Sequence, residues 1–573
     1  MRNSFHQSVL FIACTLIWPG LAQSAYSQAI ERHLPETPKP KASEILAPNA
    51  VPAEQDDTPI GPELKSVVLL GPTQSLDLAP SAGVTIGELR NLSGNGFEDQ
   101  LSSFLGRKIS RRLIAEIEAA VATRYRELNY PFVSLSTPEQ EITGGVLQIR
   151  VVEFQVGAIS VTGDKDARTE ARLLKTIGLQ TGDAINAREL TYDLDWANRY
   201  PFSNVQAIFS PGQSFGVSDL NLTVRQTRPW QGYLGYSNDG SRSTSFDRFF
   251  IGGAVGGVLA DRSVLSAQMT ASRDVFERKD KAHYKSAALA YTLPFGPRGQ
   301  IEATTNLVET YQDAQPFGVK LKAAEGGIGY RFGFSKFYGD VASTDLRVGV
   351  EAKHQTGITF FGDLAVYEAS VEVYQSYIGI HRTIAKPTSG SEIDIKLTMS
   401  PGNLNDGNSD AQAKIYSQGR QKDAAYSYLS LSYERQAPLR QGLSWQVNLL
   451  AQLSPDVLPR TEQAGLGGAP LVRGYTLESG AFDSAVVLRN EIDTPAVLLF
   501  SGVQLSPFIF ADVGYGRDNF TRKMTDLAST GIGGRISLNA RASLNLTGAC
   551  ALTSDDSVEA GDCMAHARLS VAY

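Results

Sequence analysis

The sequence predicts a mainly β protein, in which a 16-stranded transmembrane β-barrel is preceded by two small α+β domains. Three observations lead to this prediction. The chain begins with a secretory signal, helical periodicity is confined to the part before Arg228, and apolar and polar residues alternate with period two from Trp230 to Tyr573. With 573 residues the chain is also long enough to divide into several units.

Residues 1–27 have the features of a signal peptide. Arg2 supplies the positive charge, residues 9–18 are mostly apolar, and small residues near the end of the segment offer cleavage sites. Cys14 lies in a stretch that faintly resembles a lipoprotein box, but cleavage there would cut the apolar stretch short. A transmembrane helix would need roughly 20 apolar residues, and Pro19 interrupts this run. We therefore expect an exported protein without membrane helices.

Residues 28–65 are predicted to be a short helix followed by a proline-rich linker. The helix would occupy one or two turns within residues 28–34. Residues 35–62 then contain seven prolines among charged residues and alanine. Such a segment cannot bury enough apolar surface to fold, and its prolines stiffen it into an extended spacer.

Residues 66–155 are predicted to form the first α+β domain. Ser110 can cap a helix whose apolar positions step by three and four as far as Leu128, and Pro131 ends it. Two strands are predicted to follow, over residues 132–135 and 146–154.

Residues 156–228 repeat this theme and are predicted to form a second domain of the same type. Strands are predicted over residues 158–163, 205–209 and 219–225, and helices over residues 166–177 and 187–199. Two consecutive units that each mix strands with helices suggest tandem copies of one domain.

Residues 229–573 have the pattern of a membrane barrel. In the clearest strand, polar residues oppose a face made of Leu443, Trp445, Val447, Leu449, Ala451 and Leu453. Strands of about ten such residues, apolar outside and polar inside, are typical of transmembrane barrels. The sheet must close, because an open edge in hydrocarbon would leave backbone groups unpaired. At about 21 residues per strand and connection, the region holds about 16 strands, an even number like that of single-chain bacterial barrels.

The strands of a soluble β-sandwich would alternate in the same way. Three features favour the barrel instead: the alternating region is long and has no helical segment, its strand faces are long, and the chain ends in an aromatic residue. Leu569, Val571 and Tyr573 form one apolar face at this end, as the last strand of a barrel commonly does.

The composition excludes several classes of function. The formal charge of −7 argues against a surface for nucleic acid, which would show clustered Lys and Arg. Six histidines and three cysteines leave little material for a metal site, and no catalytic or phosphate-binding motif is found. We therefore predict no enzymatic activity, no cofactor and no metal.

Three segments resemble motifs of the superfamily of outer-membrane insertases and protein transporters. A turn-rich loop matches the VRGY motif through Val472, Arg473, Gly474 and Tyr475. A later strand matches the FxDxG motif through Phe510, Asp512 and Gly514. Between them, residues 488–491 (Leu-Arg-Asn-Glu) resemble the RNE stretch of the intervening strand.

The N-terminal half carries a more particular resemblance. Four segments are similar to the second POTRA domain and the start of the barrel in two-partner secretion transporters (the TpsB type), which export filamentous haemagglutinins and haemolysins: residues 198–201, 210–212, 216–220 and 228–230. The resemblance covers nearly the whole mature chain in the family's order, which is linker, two POTRA domains and barrel. It implies an outer-membrane protein with periplasmic N-terminal domains.

The resemblance also implies a function. An unfolded adhesin-like or haemolysin-like partner would bind the POTRA domains and pass through the barrel of a monomeric transporter embedded in outer-membrane lipid. The resting pore would be blocked by an inward loop and a short N-terminal plug helix. The main alternative is the insertion of other barrel proteins, although insertases of the superfamily usually carry more POTRA domains. A diffusion porin would not need such domains.

The residues themselves leave the role of the motifs open. Alternation along the strand places Asp512 on the inward face with Phe510 and Gly514. From spacing alone, Arg473 could be a solvated loop residue and Asp512 a carboxylate in contact with water. The family resemblance implies instead that the loop folds into the barrel and that Arg473 pairs with Asp512.

The parity of Arg489 and Glu491 is opposite to that of Leu488, so both are predicted to face the lumen. They belong either to the same polar network as Arg473 or to the solvated wall, and the sequence supports both readings equally.

The mature chain keeps Cys550 and Cys563 after loss of the signal. An even number of cysteines in an exported protein suggests a disulfide, and free thiols are the alternative. The two cysteines flank an acidic loop before the last strand, which we expect to lie outside the cell.

Overall fold

The structure is a computed structural model. The chain forms two compact units, of which one comprises residues 228–573 together with the described residues 31–35, and the other lies within residues 39–227. The structure describes residues 31–35, 55–76, 82–89, 91–92, 96–334, 342–385, 389–500, 502–539 and 541–573. The predicted signal peptide and most of the predicted linker lie outside these ranges. Among the described residues, no helix is long and apolar enough to cross a membrane.

The first α+β domain packs two helices against a four-stranded sheet with the order β3-β2-β6-β5. Its elements are β1 (Pro59–Glu63), β2 (Ser66–Leu70), β3 (Gly83–Ile86), α1 (Phe97–Ser102), β4 (Lys108–Ser110), α2 (Arg111–Glu127), β5 (Val133–Ser136) and β6 (Val146–Glu153). The side chain of Ser110 accepts a hydrogen bond from the Leu113 amide, which confirms the predicted cap of α2. The buried face of α2 contributes Leu113, Ile117, Val121 and Tyr125 to the core.

The first domain begins earlier than the sequence suggested. β1 falls within the predicted linker, but it pairs antiparallel with β4. Pro59 and Pro62 are tolerated because β1 is an edge strand of a two-stranded sheet, where a missing amide hydrogen costs little.

The second α+β domain has a three-stranded sheet with the order β7-β9-β8. Its elements are β7 (Gln155–Gly163), α3 (Ala167–Thr176), α4 (Ala187–Ala197), β8 (Ser203–Pro211) and β9 (Val217–Gln226). Asp166 caps α3 by accepting from the Thr169 amide. Asn198 ends α4 and exchanges two hydrogen bonds with the backbone of Val205, at 3.0 and 2.6 Å, which joins the helix to β8.

The remainder of the chain forms a closed antiparallel barrel. Its strands and short helices are β10 (Trp230–Ser237), β11 (Arg248–Gly256), β12 (Val264–Ala271), α5 (Val275–Arg278), β13 (Tyr284–Pro294), β14 (Gly299–Ala314), β15 (Phe317–Phe334), β16 (Ala342–Phe361), β17 (Leu364–Ala385), β18 (Gly390–Ser400), α6 (Asp410–Tyr416), β19 (Tyr426–Pro438), β20 (Ser444–Leu453), β21 (Ala464–Gly465), β22 (Ala481–Phe482), β23 (Ser484–Asp493), β24 (Val497–Phe500), β25 (Val503–Arg517), β26 (Met524–Leu538), β27 (Ala542–Ala551) and β28 (Cys563–Ala572). The barrel closes where β10 pairs with β28.

Over the described residues the wall contains 16 strands, as predicted. β21 and β22 pair only with each other, and β23 and β24 both pair with β25, so these last two form one interrupted wall strand. At the seam, Trp230 stacks on Tyr573 with ring centroids 5.7 Å apart. Both ends of the barrel chain therefore lie at the same end of the barrel.

The side chains of the wall follow the predicted alternation. On β25, Asp512 is fully buried, whereas its neighbour Val513 is 47% exposed on the outer face. On β12, Gln268 is buried and Met269 is 64% exposed. Large apolar side chains facing outward suit contact with hydrocarbon, and the polar groups line the interior.

Candidate functional site

Residues 454–483, which connect β20 to β23, form a long loop that folds back into the barrel. We call this segment the inward loop. The pairing of β21 with β22 closes it into a hairpin, and the VRGY motif lies between these two short strands. Gly474 follows Arg473 with a φ of 86°, a left-handed conformation that other residues rarely adopt, so the chain can turn directly after the arginine.

Arg473 is buried and makes a bidentate ion pair with the barrel wall. Its Nε and Nη2 donate to the two carboxylate oxygens of Asp512, at 2.7 and 2.8 Å. Its Nη1 donates to Oε2 of Glu491 at 2.8 Å. The guanidinium also lies 3.5 Å from the ring centroid of Phe510, a cation–π contact. One arginine of the loop thus binds two adjacent wall strands, β23 and β25.

Two further arginines lie beside this ion pair. Arg535 of β26 forms ion pairs with Glu491 and Asp493. Arg489 of β23 donates from Nη1 to the carbonyl oxygen of Pro470 at 2.8 Å, and so binds the backbone of the inward loop. A cavity of about 400 Å³ lies beside the network and is lined by charged side chains of the loop and of the wall.

The loop also packs against the wall through apolar contacts. Leu466 and Val472 are fully buried. A Cβ on Gly514 would lie 2.7 Å from Cγ2 of Val472 and 3.0 Å from Cδ1 of Leu466. The glycine of the FxDxG motif therefore leaves the space into which the loop packs.

Tyr475, the last residue of the VRGY motif, attaches the inward loop to the wall through its hydroxyl. Its hydroxyl lies 2.7 Å from the carbonyl oxygen of Thr553 and 2.9 Å from that of Ala528. These backbone groups belong to β26 and to the connection between β27 and β28, so Tyr475 joins the loop to a part of the wall that Arg473 does not reach.

Residues 31–35, the N-terminal segment, bind inside the same barrel. Glu31 receives two hydrogen bonds from Arg248, at 2.7 and 2.6 Å, and its carbonyl oxygen accepts from Tyr284 at 3.0 Å. Arg32 pairs with both oxygens of Glu325, at 2.7 and 2.6 Å, and donates to the carbonyl oxygen of Thr461 at 2.7 Å. The segment is not helical over these residues, whereas the sequence suggested helical turns as far as residue 34.

With the exception of the two cysteines, the structure brings together in one place the residues that the sequence singled out. The VRGY loop, the FxDxG strand, Arg489 and Glu491 form a single network. Cys550 and Cys563 are joined by a disulfide with Cα atoms 4.0 Å apart, and they form the last residue pair between β27 and β28.

Several contributing residues could not be found from the sequence. Arg535 has the parity of a lumen-facing residue, but nothing local distinguishes it from other charged residues of the wall. Glu31 and Arg32 lie beside the predicted linker, and their partners Arg248 and Glu325 are more than two hundred residues away in the chain.

Comparison with known proteins gives one family and several relatives. Residues 216–536 match the family described as haemolysin secretion/activation protein ShlB/FhaC/HecB. The outer membrane transporter CdiB of Escherichia coli is 25% identical over 370 residues, which is 62% of this chain and 58% of CdiB. The match therefore spans less than two thirds of that relative's length. The heme/hemopexin transporter protein HuxB of Haemophilus influenzae strain 86-028NP is 21% identical over 424 residues, 73% of this chain and 72% of HuxB.

A solved structure of CdiB from Escherichia coli has a similar fold. It superposes with a TM-score of 0.65 at 19% identity and covers 93% of this chain and 94% of the CdiB chain. Because the superposition covers more than nine tenths of each chain, the similar fold includes the two α+β domains as well as the barrel.

Proposed function

Because the chain belongs to the haemolysin secretion/activation protein family ShlB/FhaC/HecB, we propose that it exports a partner protein through its own pore by two-partner secretion. It is an outer-membrane β-barrel protein, and its two POTRA domains, the α+β domains described above, lie in the periplasm. An unfolded partner would bind these domains, pass through the barrel and fold outside the cell. No enzymatic step is required of the chain.

The observation that carries this proposal is the way the inward loop is held. Arg473 binds Asp512 and Glu491 through side-chain hydrogen bonds, for which the polar groups of a passing polypeptide can compete. A loop held in this manner can close the resting pore and still be displaced. We propose that Arg473 is the anchor of the closed state, with Arg489 supporting the loop backbone.

The POTRA domains offer a chemically simple way to receive an unfolded chain. The edge strands of their sheets are β3 and β5 in the first domain and β7 and β8 in the second. A partner that adds a strand to such an edge is bound through main-chain hydrogen bonds, which tolerate variety in sequence. We propose that the partner is a large adhesin-like or haemolysin-like protein and that the transporter works as a monomer.

We propose that the N-terminal segment is a second element of closure. Glu31 and Arg32 bind opposite charges on the wall, and Arg32 also binds the inward loop through Thr461. The segment would have to leave together with, or before, the loop.

Deletion of the gene tests the function. We expect one large exported protein to be lost from the cell surface or the medium while the content of other barrel proteins stays normal. A general loss of outer-membrane barrels would contradict export and support the insertase alternative. A reading frame for a large secreted β-helical protein beside this gene would identify the partner to be followed.

A further inference from the structure

The inward loop is also held at its base by a buried carboxylate. Asp483, the last residue of the loop, is fully buried. Its Oδ1 accepts from the Leu458 amide at 2.8 Å, from Nη2 of Arg420 at 2.9 Å and from Nε2 of Gln463 at 3.2 Å. Its Oδ2 accepts from Nη2 of Arg420 at 2.8 Å and from the Asn519 amide at 2.7 Å.

These donors come from three different connections of the barrel. Arg420 lies between β18 and β19, Leu458 and Gln463 lie in the inward loop, and Asn519 lies between β25 and β26. All three connections leave the barrel at the end opposite Trp230 and Tyr573. Since the POTRA domains that precede Trp230 are periplasmic, this end faces the outside of the cell.

Arg420 and Asn519 strengthen the same junction. Arg420 also donates to the Leu458 carbonyl oxygen at 2.6 Å and to Oδ2 of Asp518 at 2.9 Å. The side chain of Asn519 donates to the carbonyl oxygens of Ser454 and Asp456, at 3.0 and 2.8 Å.

Asp518 is a second carboxylate that binds the Arg420 guanidinium, and it accepts further hydrogen bonds from Thr521. Burial raises the pKa of Asp518, but the Thr521 amide and the Arg420 guanidinium outweigh burial and hold this pKa below its usual range. Asp518 therefore binds the guanidinium as a carboxylate at neutral pH, and both aspartates contact the same Nη2 atom of Arg420.

An aspartate suits this position because every group around it is a donor. A carboxylate accepts on both oxygens, whereas an asparagine of the same shape would turn two N–H groups toward the surrounding donors. A buried donor left without an acceptor is costly, so even this isosteric change should separate the three connections. The wall strands keep their own backbone ladders, so the barrel itself does not depend on the junction.

We propose that Asp483, with Arg420, is a positioning residue that closes the extracellular mouth of the pore by holding these three connections together. The inference rests on the proposed pore. Asp483 acts at the base of the inward loop and Arg473 near its middle, so the two residues are separate restraints on one loop. Loss of Asp483 opens the mouth while the contact of Arg473 with Asp512 stays in place.

The test measures leakage through the full-length protein without any partner. Asp483→Asn protein is purified and studied in planar lipid bilayers, and cells that produce it are exposed to a glycopeptide antibiotic too large for the intact outer membrane. We expect a severalfold rise in opening events and a severalfold gain in antibiotic sensitivity over the parent protein. A shift in electrophoretic mobility on heating shows whether the barrel is folded.

The matched control is Asp345→Asn. Asp345 is equally buried and pairs with Arg331 on the neighbouring strand β15, within the wall. We expect this variant to leak no more than the parent. Equal leakage from both variants would mean that any buried wall charge matters, and would overturn the proposal.

A second variant decides the matter if Asp483→Asn fails to fold. Asn519→Ala keeps Asp483 and removes only the two side-chain bonds to the start of the inward loop, and we expect a smaller but measurable leak. Folded Asp483→Asn or Asn519→Ala protein that stays as closed as the parent would refute the role of the junction. Failure of the parent to export any protein would remove the proposed function, but would leave the leakage result standing.

Discussion

The guanidinium of Arg473 binds two carboxylates and an aromatic ring in the barrel interior, where each contact is stronger than it would be on the surface. Exposed ion pairs contribute about 0–1 kcal/mol, because water and salt screen them. Removal of one partner of a buried pair costs roughly 3–5 kcal/mol, because the remaining charge is left without compensation. Asp512 is fully buried, and removal of the Arg473 side chain would leave its charge without compensation.

We therefore expect Arg473→Ala to reduce export sharply, by roughly tenfold or more. Roughly 3 kcal/mol or more of loop anchoring is lost, and each 1.4 kcal/mol changes the fraction of correctly seated loops by about tenfold. The barrel should still insert, since its strands are paired without the arginine. Surface display of the partner and the heat-dependent mobility of the transporter would measure the two effects.

Arg473→Lys is the matched control for this change. It keeps the charge but cannot form the bidentate pair, so its export should be intermediate. Full export by Arg473→Ala, with a folded barrel, would contradict the anchoring role.

At the scale of the element, two segments far apart in the chain enter one lumen. The inward loop is anchored from its middle and its base, and the N-terminal segment is bound through Glu31 and Arg32. The short strands of the inward loop pair with each other and not with wall strands, so the loop can separate from the wall without breaking the backbone ladders of the barrel.

Changing Glu31 and Arg32 together to glutamine should weaken this binding and raise the conductance of the pore. The neutral amides keep some hydrogen bonds but lose the bidentate ion pairs with Arg248 and Glu325. Single-channel recording on the purified protein measures the change. Leu34→Ala serves as the control, because Leu34 is 56% exposed in the same segment. Unchanged conductance in the double variant would argue against a closing role for the segment.

Removal of both POTRA domains should abolish export while the barrel stays folded. Each domain has its own hydrophobic core, and the chain divides cleanly after Thr227. Because β1 belongs to the first domain, the deletion should begin before Pro59. Export assays and heat-dependent mobility would be compared with the parent. Export that survives the deletion would show that the domains do not receive the partner.

At the scale of the whole molecule, the barrel is closed by backbone pairing all around its wall, so no single covalent link decides its stability. Cys550 and Cys563 are register partners at the end of the ladder between β27 and β28. Closing a loop of this length would restrict an unfolded chain by roughly 3 kcal/mol in the chain-entropy account. The ladder already holds these strands together, so we expect a smaller gain.

Replacing both cysteines by serine should therefore leave export intact and lower thermal stability only slightly. Thermal unfolding and export would be measured side by side for the variant and the parent. Mass mapping of the parent without reductant should show the linked peptides. Two free thiols in protein taken from the outer membrane would refute the bond.

Much of this architecture could be read from local patterns. Alternation with period two predicted the barrel wall, and its parity correctly placed Asp512 inside and Val513 outside. The cap at Ser110 and the apolar steps after it located α2. These features follow from neighbouring residues, because the side of a strand or helix on which a residue lies depends only on the local backbone geometry.

The contacts that hold the inward loop and the N-terminal segment could be identified only from the tertiary structure. Motif resemblance pointed to Arg473 and Asp512, but neither the pairing of Glu31 with Arg248 nor the junction around Asp483 has a local pattern. Glu31 and Arg248 are 217 residues apart in the sequence. Such pairs depend on the radius and register of the closed barrel, to which every wall strand contributes, and on how the connections fold across its ends. The sequence alone determined which residues face the lumen, and only the closed barrel decided which of them meet.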